Sequence, residues 1–403
     1  MSPPLLAGLT VIDCATVIAA PAAATMLADF GANVIKIEQP GDGDMLRMLS
    51  EIHTTPFAET NWFWELHGRN KRSIALDMKS PEGREVLGRL IDTADVFITN
   101  HPYPVRHVLD ITYEDVRARN PGIIYASLTA YGEHGPERDR KGFDQLAYWA
   151  RSGLMELMRE PGTKPTQGLP GMGDHPTAVS IYAGIMTALL HRERTGEGAM
   201  VQTSLLANGL WSVAGVAQGA MAGGDMADYR ETNQVDGPTL RPYKTADGRW
   251  LQLNMIRSEE ALTELLLGLG AVELLADPRF GDLATILGPA GAAFGDELQR
   301  IIGTKTAVEW LTILGERELP VNLVAEVEET TTDEQIRANK MVVEPPPGEL
   351  ETPLLIKHPI TVTSAPQVDP GRAPSLGEHG PEILAELGYS PEDIDELVSR
   401  SVI

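Results

Sequence analysis

Short apolar runs rich in β-branched residues alternate with helical patterns through the first two hundred residues. Between the first two runs, Pro21 stands at the expected start of a helix and Gly31 at its expected end. A further helix is predicted after Ser80, a capping residue followed by Pro81 and by apolar residues at helical spacing. Strands that alternate with helices indicate an α/β fold with a mostly parallel sheet. The predicted strands are "LTVIDCA" (9–15), "NVIKIE" (33–38), "RSIALDM" (72–78), "VFITN" (96–100) and "GIIYASLTAYG" (122–132).

The pattern changes after residue 205, where regular alternation stops. The segment "RPYKTADGRWLQLNM" (241–255) predicts a hairpin with its turn at Ala246-Asp247-Gly248, and helical segments follow it. We therefore expect a large α/β domain and a second, smaller domain. The expected boundaries are a large domain at 1–205 completed by 345–403, a linker at 206–227, a small domain at 228–325 and a linker at 326–344.

The net charge and the cysteine content limit the binding partners and the cellular compartment that we expect for the protein. The 403 residues carry a formal net charge of −24, which argues against nucleic acid and anionic membrane surfaces as partners. The single cysteine, Cys14, excludes an intrachain disulfide and fits a reducing compartment. The opening segment is apolar, but its first basic residue is Lys36, so it lacks the basic start of a secretory signal. We expect a cytoplasmic protein without a membrane span.

Common cofactor and nucleophile motifs are absent from the sequence. It contains no G-x-G-x-x-G, no phosphate-binding G-x-x-x-x-G-K-[ST], no H-E-x-x-H and no G-x-S-x-G. We therefore expect no metal site and no nucleotide fingerprint. Against the acidic background, Arg69, Lys71, Arg72 and Lys79 lie close together around one predicted strand. This cluster is either a solvated surface with scattered ion pairs or the place where a phosphorylated ligand is held.

One carboxylate, Asp174, follows three glycines in "GLPGMGDHPTAVSIYAG" (168–184). A helix is predicted to begin with Pro176 at its first position and to end at Gly196, so Asp174 lies just before a helix N-terminus. Two interpretations remain open at this point. Asp174 either caps the helix, or it is a nucleophile for which the glycines clear space in front of a bulky substrate.

In its motifs, the chain resembles the class III coenzyme A transferases, with formyl-CoA transferase, carnitine CoA-transferase and α-methylacyl-CoA racemase as relatives. The likeness covers nearly the whole length and lies in many segments that occur in the family's order. The resemblance implies a Rossmann-like large domain with a mostly parallel sheet, a smaller α+β domain and an interlocked homodimer. The segments that carry it include "LLAGLTVIDCATVIAAPAAATMLADFGANVIKIEQPGDGD", "GRNKRSIALDMKSPEG", "NPGIIYASLTAYGEHGPERDRKGFDQLA" and "GMGDHPTAVSIYAGIMTALLHRERTGEGAMVQTSLL".

The resemblance also implies an activity and a set of site residues. The aspartate of the family's "GxGD" stretch falls on Asp174, which would take the acyl group from an acyl-CoA thioester and pass CoA to a free carboxylic acid. Coenzyme A is then a substrate and no cofactor is permanently bound. Ile18, Phe143 and Gly173 are expected in the substrate pocket. Expected CoA contacts are Val17, Ala19, Arg72, Leu76, Met78, Lys79, Asn100 and Lys141, with Arg106 substituting for the family arginine that Val108 replaces here.

Departures from the family pattern bear on the acyl substrate and on the reaction type. Racemase relatives have a histidine in "GHD" where this chain has Phe143, and removing a proton from either face of a carbon needs a base on each side. A transferase is therefore favoured, with an acyl-CoA racemase or a non-catalytic CoA-ester binding protein as alternatives. The acyl group and the acceptor are not identified by the sequence. Candidates for an aromatic pocket wall are Trp62, Trp64, Phe143, Tyr148 and Trp149.

Overall fold

The computed structural model describes residues 3–51, 55–160, 162–234, 238, 241–253 and 256–403. The strands are β1 (Thr10–Cys14), β2 (Asn33–Glu38), β3 (Lys71–Ala75), β4 (Val96–Thr99), β5 (Ile124–Thr129), β6 (Ala199–Ser204), β7 (Pro242–Lys244), β8 (Trp250–Leu253), β9 (Val321–Leu323), β10 (Val342–Val343) and β11 (Leu355–Ile356).

Helices account for most of the remaining regular structure. They are α1 (Ala19–Asp29), α2 (Trp62–Gly68), α3 (Pro81–Thr93), α4 (Tyr103–Val108), α5 (Tyr113–Arg119), α6 (Leu154–Leu157), α7 (Asp174–Thr195), α8 (Leu205–Ser212), α9 (Ala214–Met221), α10 (Met226–Gln234), α11 (Glu259–Leu269), α12 (Leu283–Leu287), α13 (Gly291–Ile302), α14 (Ala307–Gly315), α15 (Glu334–Ala338), α16 (Gly380–Glu386) and α17 (Pro391–Ser399).

Six parallel strands form one sheet in the order β3-β2-β1-β4-β5-β6. The central strand β1 pairs with β2 on one side, where Val11 lies opposite Val34, and with β4 on the other, where Val11 lies opposite Val96. The chain therefore builds the sheet outward from β1 in one direction and then in the other. The predicted parallel sheet is confirmed, and all five predicted strands are present with ends shifted by a few residues.

Both faces of the sheet are covered, so its strands are buried nearly throughout. Alternating side chains explain this: Val11 packs on one face with α1 and α7, and Ile12 packs on the other with α3 and α5. The helices near the carboxyl terminus, α16 and α17, contribute Ile383, Leu384 and Leu397 to the second face. Edge strand β6, which the sequence analysis did not identify, is only partly buried and lacks the continuous apolar run of the others.

The contacts divide the chain into two units. One contains Met1–Arg159, Thr163–Ala217 and Glu334–Ile403, and the other contains Glu160–Gly162 and Gln218–Asp333. Helices α8 and α9 occupy much of the stretch expected to be a linker at 206–227.

The second unit has its own antiparallel sheet and core. Its three strands lie in the order β7-β8-β9, and its apolar cluster includes Tyr243, Phe294 and Trp310. The predicted hairpin is confirmed as far as Leu253: the Thr245 carbonyl accepts from the Gly248 N–H at 3.0 Å, and Gly248 has φ +82°. Residues 254–255, the end of that predicted segment, lie outside the described residues. No helix in the described part of the chain is long and apolar enough to cross a membrane.

Candidate active site

The Asp174 side chain lies on the wall of a cavity of about 210 Å³. The other walls come from the segments that directly follow three neighbouring strands: Thr16–Ala19 after β1, Asn100–Pro102 after β4 and Ala130 after β5. The chain changes direction across the sheet between β1 and β4. In open parallel sheets, the crevice beyond the carboxyl ends of the strands at this point is where ligands bind.

Burial makes the Asp174 carboxylate unusual. It accepts no hydrogen bond from the residues that the structure describes, and it is half-buried at the start of α7. Desolvation, followed by the negative charge of Asp144, raises the pKa of Asp174 from 3.8 to about 7. A carboxylate with few compensating hydrogen bonds is a strong nucleophile once ionised, and this one changes charge near neutral pH.

Asp144 holds the loop that carries Asp174. Its Oδ2 accepts from the backbone N–H groups of Gly171, at 3.1 Å, and Gly173, at 3.3 Å, while Oδ1 accepts from the Gln145 N–H at 2.7 Å. Burial raises the pKa of Asp144, and these backbone hydrogen bonds oppose that rise. Sequence analysis gave Asp144 no role, because its partners are backbone groups that only the folded chain brings together.

The glycines before Asp174 serve packing, which corrects the expectation that they clear space for substrate. A Cβ atom at Gly173 would lie 2.6 Å from the Tyr148 ring, and one at Gly168 would lie 2.1 Å from the Trp149 ring. Gly171 also has φ +79°, which other residues rarely adopt. The loop is therefore able to lie directly on two buried aromatic rings, and this contact fixes where Asp174 begins its helix.

Helix α7 begins two residues earlier than predicted. Asp174 is its first residue and Gly173 precedes it, so Pro176 is third and not first. Proline fits there because the N–H groups of the first helical turn have no intrahelical partner. No side-chain hydrogen bond caps this end of the helix. The capping interpretation of Asp174 therefore lacks the contact that defines a cap.

Most of the predicted site residues fall into two cavities. A second cavity, of about 800 Å³, lies beside the first, and Thr16 and His101 line both. The amines of Lys79 and Lys141 form no ion pair with the described residues, so both remain free to meet an anion. Val17, Ile18, Ala19, Asn100, Lys141 and Phe143 line the cavity of Asp174; Leu76, Met78 and Lys79 line the larger one.

Three predicted site residues lie elsewhere. Arg72 pairs with Glu382 at 3.0 Å and Glu386 at 2.8 Å on α16. Arg106 is 1 % exposed and its guanidinium pairs with Glu133 at 2.8 Å. Gly173 faces the Tyr148 ring and is absent from the cavity wall.

Of the aromatic candidates, only Phe143 lines the Asp174 cavity. Trp64, Tyr148 and Trp149 are buried in apolar clusters, and Trp62 packs against the cluster of Trp64. Of the five candidate rings, the exposed ring of Phe143 is therefore the one that forms part of the cavity wall.

The structure adds His101, Arg138 and Arg140 to the cavity wall. Burial lowers the pKa of His101 to about 4, so its imidazole is neutral at pH 7. The two arginines belong to "GPERDRKGFD", where Arg138, Arg140 and Lys141 lie close together in an acidic chain, and that local group of cations was the available signal.

Comparison with known proteins shows where this arrangement belongs. The sequence profile of CoA-transferase family III matches residues 6–380. The chain belongs to that family. It is 32% identical to the (R)-2-hydroxy-4-methylpentanoate CoA-transferase of Clostridioides difficile, covering 99% of each chain. It is 30% identical to the cinnamoyl-CoA:phenyllactate CoA-transferase of Clostridium sporogenes, covering 98% of this chain and 96% of the relative.

The fold of the family agrees as well. A CaiB/BaiF family protein from Brucella suis superposes with a TM-score of 0.81 at 28% identity, covering 96% of this chain and 100% of that chain. The protein is thus an enzyme, a family III CoA-transferase whose substrates include CoA thioesters.

Replacing Asp174 by asparagine is expected to stabilise the folded protein at alkaline pH. The folded-state pKa of about 7 lies above the unfolded value of 3.8, so ionisation of Asp174 opposes folding. This cost is absent below pH 3.8, grows as pH rises toward 7 and is complete above it, at most about 4 kcal/mol. Urea unfolding at several pH values measures the difference between Asp174→Asn and wild type. Exposed Asp369→Asn is the control; a difference that does not grow with pH contradicts the desolvated carboxylate.

Replacing Asp144 by asparagine is expected to move the pH profile of the reaction downward. The substitution removes the like charge that raises the pKa of Asp174 and leaves an oxygen to accept from Gly171 and Gly173. The midpoint of kcat/KM against pH should fall below that of wild type, because Asp174 ionises more easily. An unchanged midpoint would show that Asp144 acts on Asp174 through loop position alone.

Proposed function

We propose that this enzyme moves coenzyme A from an acyl-CoA thioester to a free carboxylic acid, with Asp174 as the covalent nucleophile. The observation that carries the proposal is a carboxylate with no hydrogen-bond partner in the described structure, on a cavity wall, with a pKa near 7. Asp174 is half ionised near neutral pH, so the reactive form is present without a separate base.

The first half of the reaction transfers CoA from the donor to Asp174 and releases the donor acid. An Asp174 oxygen attacks the thioester carbonyl carbon, the carbon–sulfur bond breaks, and CoA leaves as the thiolate. The product is a mixed anhydride between Asp174 and the acyl group. The thiolate then attacks the Asp174 carbonyl carbon, the donor acid leaves as a carboxylate, and an aspartyl-CoA thioester remains.

The second half repeats these steps with the acceptor. Its carboxylate attacks the Asp174 carbonyl carbon and displaces the CoA thiolate, which forms a second anhydride. The thiolate attacks the acceptor carbonyl carbon, and this step releases the new CoA ester and restores the Asp174 carboxylate. The apolar side chains of the cavity wall limit the water that could hydrolyse the anhydride and thioester intermediates.

The two adjoining cavities suit the two parts of a CoA ester. The larger one is long enough for the nucleotide and carries the unpaired amine of Lys79, which attracts phosphate. Thr16 and His101 mark the junction that the pantetheine arm would cross toward Asp174. Arg72 and Arg106 would have to leave their carboxylate partners to bind phosphate, so we propose that they act as structural residues and not as CoA ligands.

The acceptor is proposed to be a carboxylic acid with an apolar body. Ile18, Leu128, Phe143 and Leu205 supply apolar surface around Asp174. Two relatives are named for acids of this kind, (R)-2-hydroxy-4-methylpentanoate and phenyllactate. On the same wall, Arg138 contacts Asp139 at 3.4 Å and Arg140 pairs with Glu137 at 2.5 Å, so the Lys141 amine is the cation that would orient the acceptor carboxylate.

An acyl-CoA racemase is the second candidate, because His101 places one imidazole in the Asp174 cavity. Phe143 cannot take a proton, so a base on each face of the α-carbon would require His101 and Asp174 to lie on opposite sides.

The interlocked homodimer also stays a prediction. The exposed Trp211 and Leu210 of α8 offer apolar surface for a second chain, and a solution mass of one 43.7 kDa chain would contradict it.

A direct test incubates the enzyme with cinnamoyl-CoA and a panel of acids that includes 2-hydroxy-4-methylpentanoate, phenyllactate, succinate and formate. We expect formation of the acceptor's CoA ester only when an acid is present, and none with Asp174→Asn. A parallel incubation of 2-hydroxy-4-methylpentanoyl-CoA in deuterated water reports on the α-carbon. Deuterium uptake without exchange would assign a racemase. Tight CoA-ester binding with neither reaction would assign a binding protein.

A further inference from the structure

Val17 adopts a backbone conformation that its side chain opposes. Its φ is +68°, in the left-handed region that favours glycine, and a branched Cβ makes that region especially costly. The other non-glycine residues with positive φ in the described chain are Asn70, Asp110, Glu318, Lys340 and Ser401, none of them β-branched. Val17 lies on the wall of the Asp174 cavity. Strain of this kind persists only where surrounding contacts impose it.

Asp44 supplies the contact that imposes it. Its Oδ1 accepts from the Val17 N–H at 2.9 Å and from the Leu46 N–H at 3.0 Å. Its Oδ2 pairs with the Lys36 ammonium at 2.7 Å, and both side chains are 1% exposed. On the other side of the segment, Asn100 exchanges two hydrogen bonds with the backbone of Thr16, at 2.9 and 2.7 Å.

Lys36 holds Asp44 in place. The Lys36 ammonium also donates to the Ala15 carbonyl, directly after β1, and lies 3.9 Å from Asp13. Burial by itself lowers the pKa of Lys36, but the surrounding carboxylates Asp13 and Asp44 reverse this and raise it above its ordinary value. Lys36 therefore stays protonated, and its contacts with the end of β1 set the orientation of its pair with Asp44.

We propose that Asp44, anchored by Lys36, is a positioning residue that holds Val17 in its left-handed conformation and thereby shapes the wall against which the CoA thioester lies. The proposal rests on the proposed function, since it concerns the binding of that substrate. Asp44 does not contact Asp174, although it also lines the larger cavity; it shapes the wall at the thioester through Val17. Without Asp44, Val17 would relax to negative φ, and the cavity wall would lose the shape that binds the CoA thioester.

The test compares Asp44→Ala in two backgrounds, wild type and Val17→Gly. Alanine is used because asparagine would keep an oxygen that accepts from the Val17 N–H. Glycine adopts positive φ without strain, so the anchor matters less once Val17 is replaced. Coenzyme A is the probe, titrated by calorimetry with each folded variant, and thermal unfolding is measured alongside. The matched control is Asp29→Ala, which breaks another buried pair, Asp29 with Arg69 at 2.6 Å. Asp29 ends α1, ten residues beyond Ala19 and about 15 Å along the helix.

In the wild-type background, Asp44→Ala is expected to weaken CoA binding about tenfold, the population loss that a strained conformer suffers when its anchor is removed. In the Val17→Gly background, the same substitution should weaken it far less. Asp29→Ala should lower the unfolding temperature but leave CoA affinity nearly unchanged. A crystal structure of Asp44→Ala should show Val17 with negative φ.

Two results would overturn the inference: unchanged CoA affinity in Asp44→Ala, or an equal loss of affinity in both backgrounds. The second would mean that Asp44 acts through general stability or through its own contact with the larger cavity. Failure of the proposed function has a different signature. In that case CoA would bind to each variant as expected, but the wild-type enzyme would not transfer CoA to any acid in the panel.

Discussion

A carboxylate deprived of hydrogen bonds at the carboxyl ends of the central strands is the constraint around which the site is arranged. Folding normally removes such groups or pairs them, because an unpaired charge in a poorly hydrated place is costly. Here Asp174 is held in place by its neighbours: Asp144 binds the backbone of the preceding loop, and two aromatic rings support that loop from below. The side chain itself stays unbonded, with a pKa near 7. In the proposed reaction, stability is given up at the atom that attacks the thioester.

A second part of the cavity wall is held in a similar way by different groups. Val17 is strained, and the buried pair of Asp44 and Lys36 holds it where an unstrained backbone would not stay. Both segments are therefore held by carboxylates that accept hydrogen bonds from backbone N–H groups. The proposed attack on a thioester carbon requires such precise positioning. The parallel sheet supplies the rigid base, because the segments concerned leave adjacent strands.

The sequence predicted much more of the fold than of the site. Apolar runs such as "NVIKIE" mark buried strands, and β2 has the predicted bounds. Edge strand β6 was not predicted, because a partly buried strand has no continuous apolar run. Asp174 was found through the family resemblance, whereas spacing alone left a capping role equally open. Asp144, Asp44 and the strain at Val17 could not be predicted, since each depends on backbone groups that come together only in the folded chain. The expected roles of Arg72 and Arg106 illustrate the same limit, because their carboxylate partners, Glu386 and Glu133, meet them only in the folded chain.

Covalent chemistry at Asp174 is the central claim, and chemical trapping examines it directly. Enzyme incubated with acyl-CoA is treated with hydroxylamine, which converts an aspartyl anhydride or thioester into a hydroxamate, and is then digested and analysed by mass spectrometry. The account predicts a hydroxamate on the peptide that contains Asp174, dependent on acyl-CoA and absent from Asp174→Asn. An unmodified Asp174 peptide in enzyme that is exchanging CoA, or a hydroxamate on a different peptide, would contradict it.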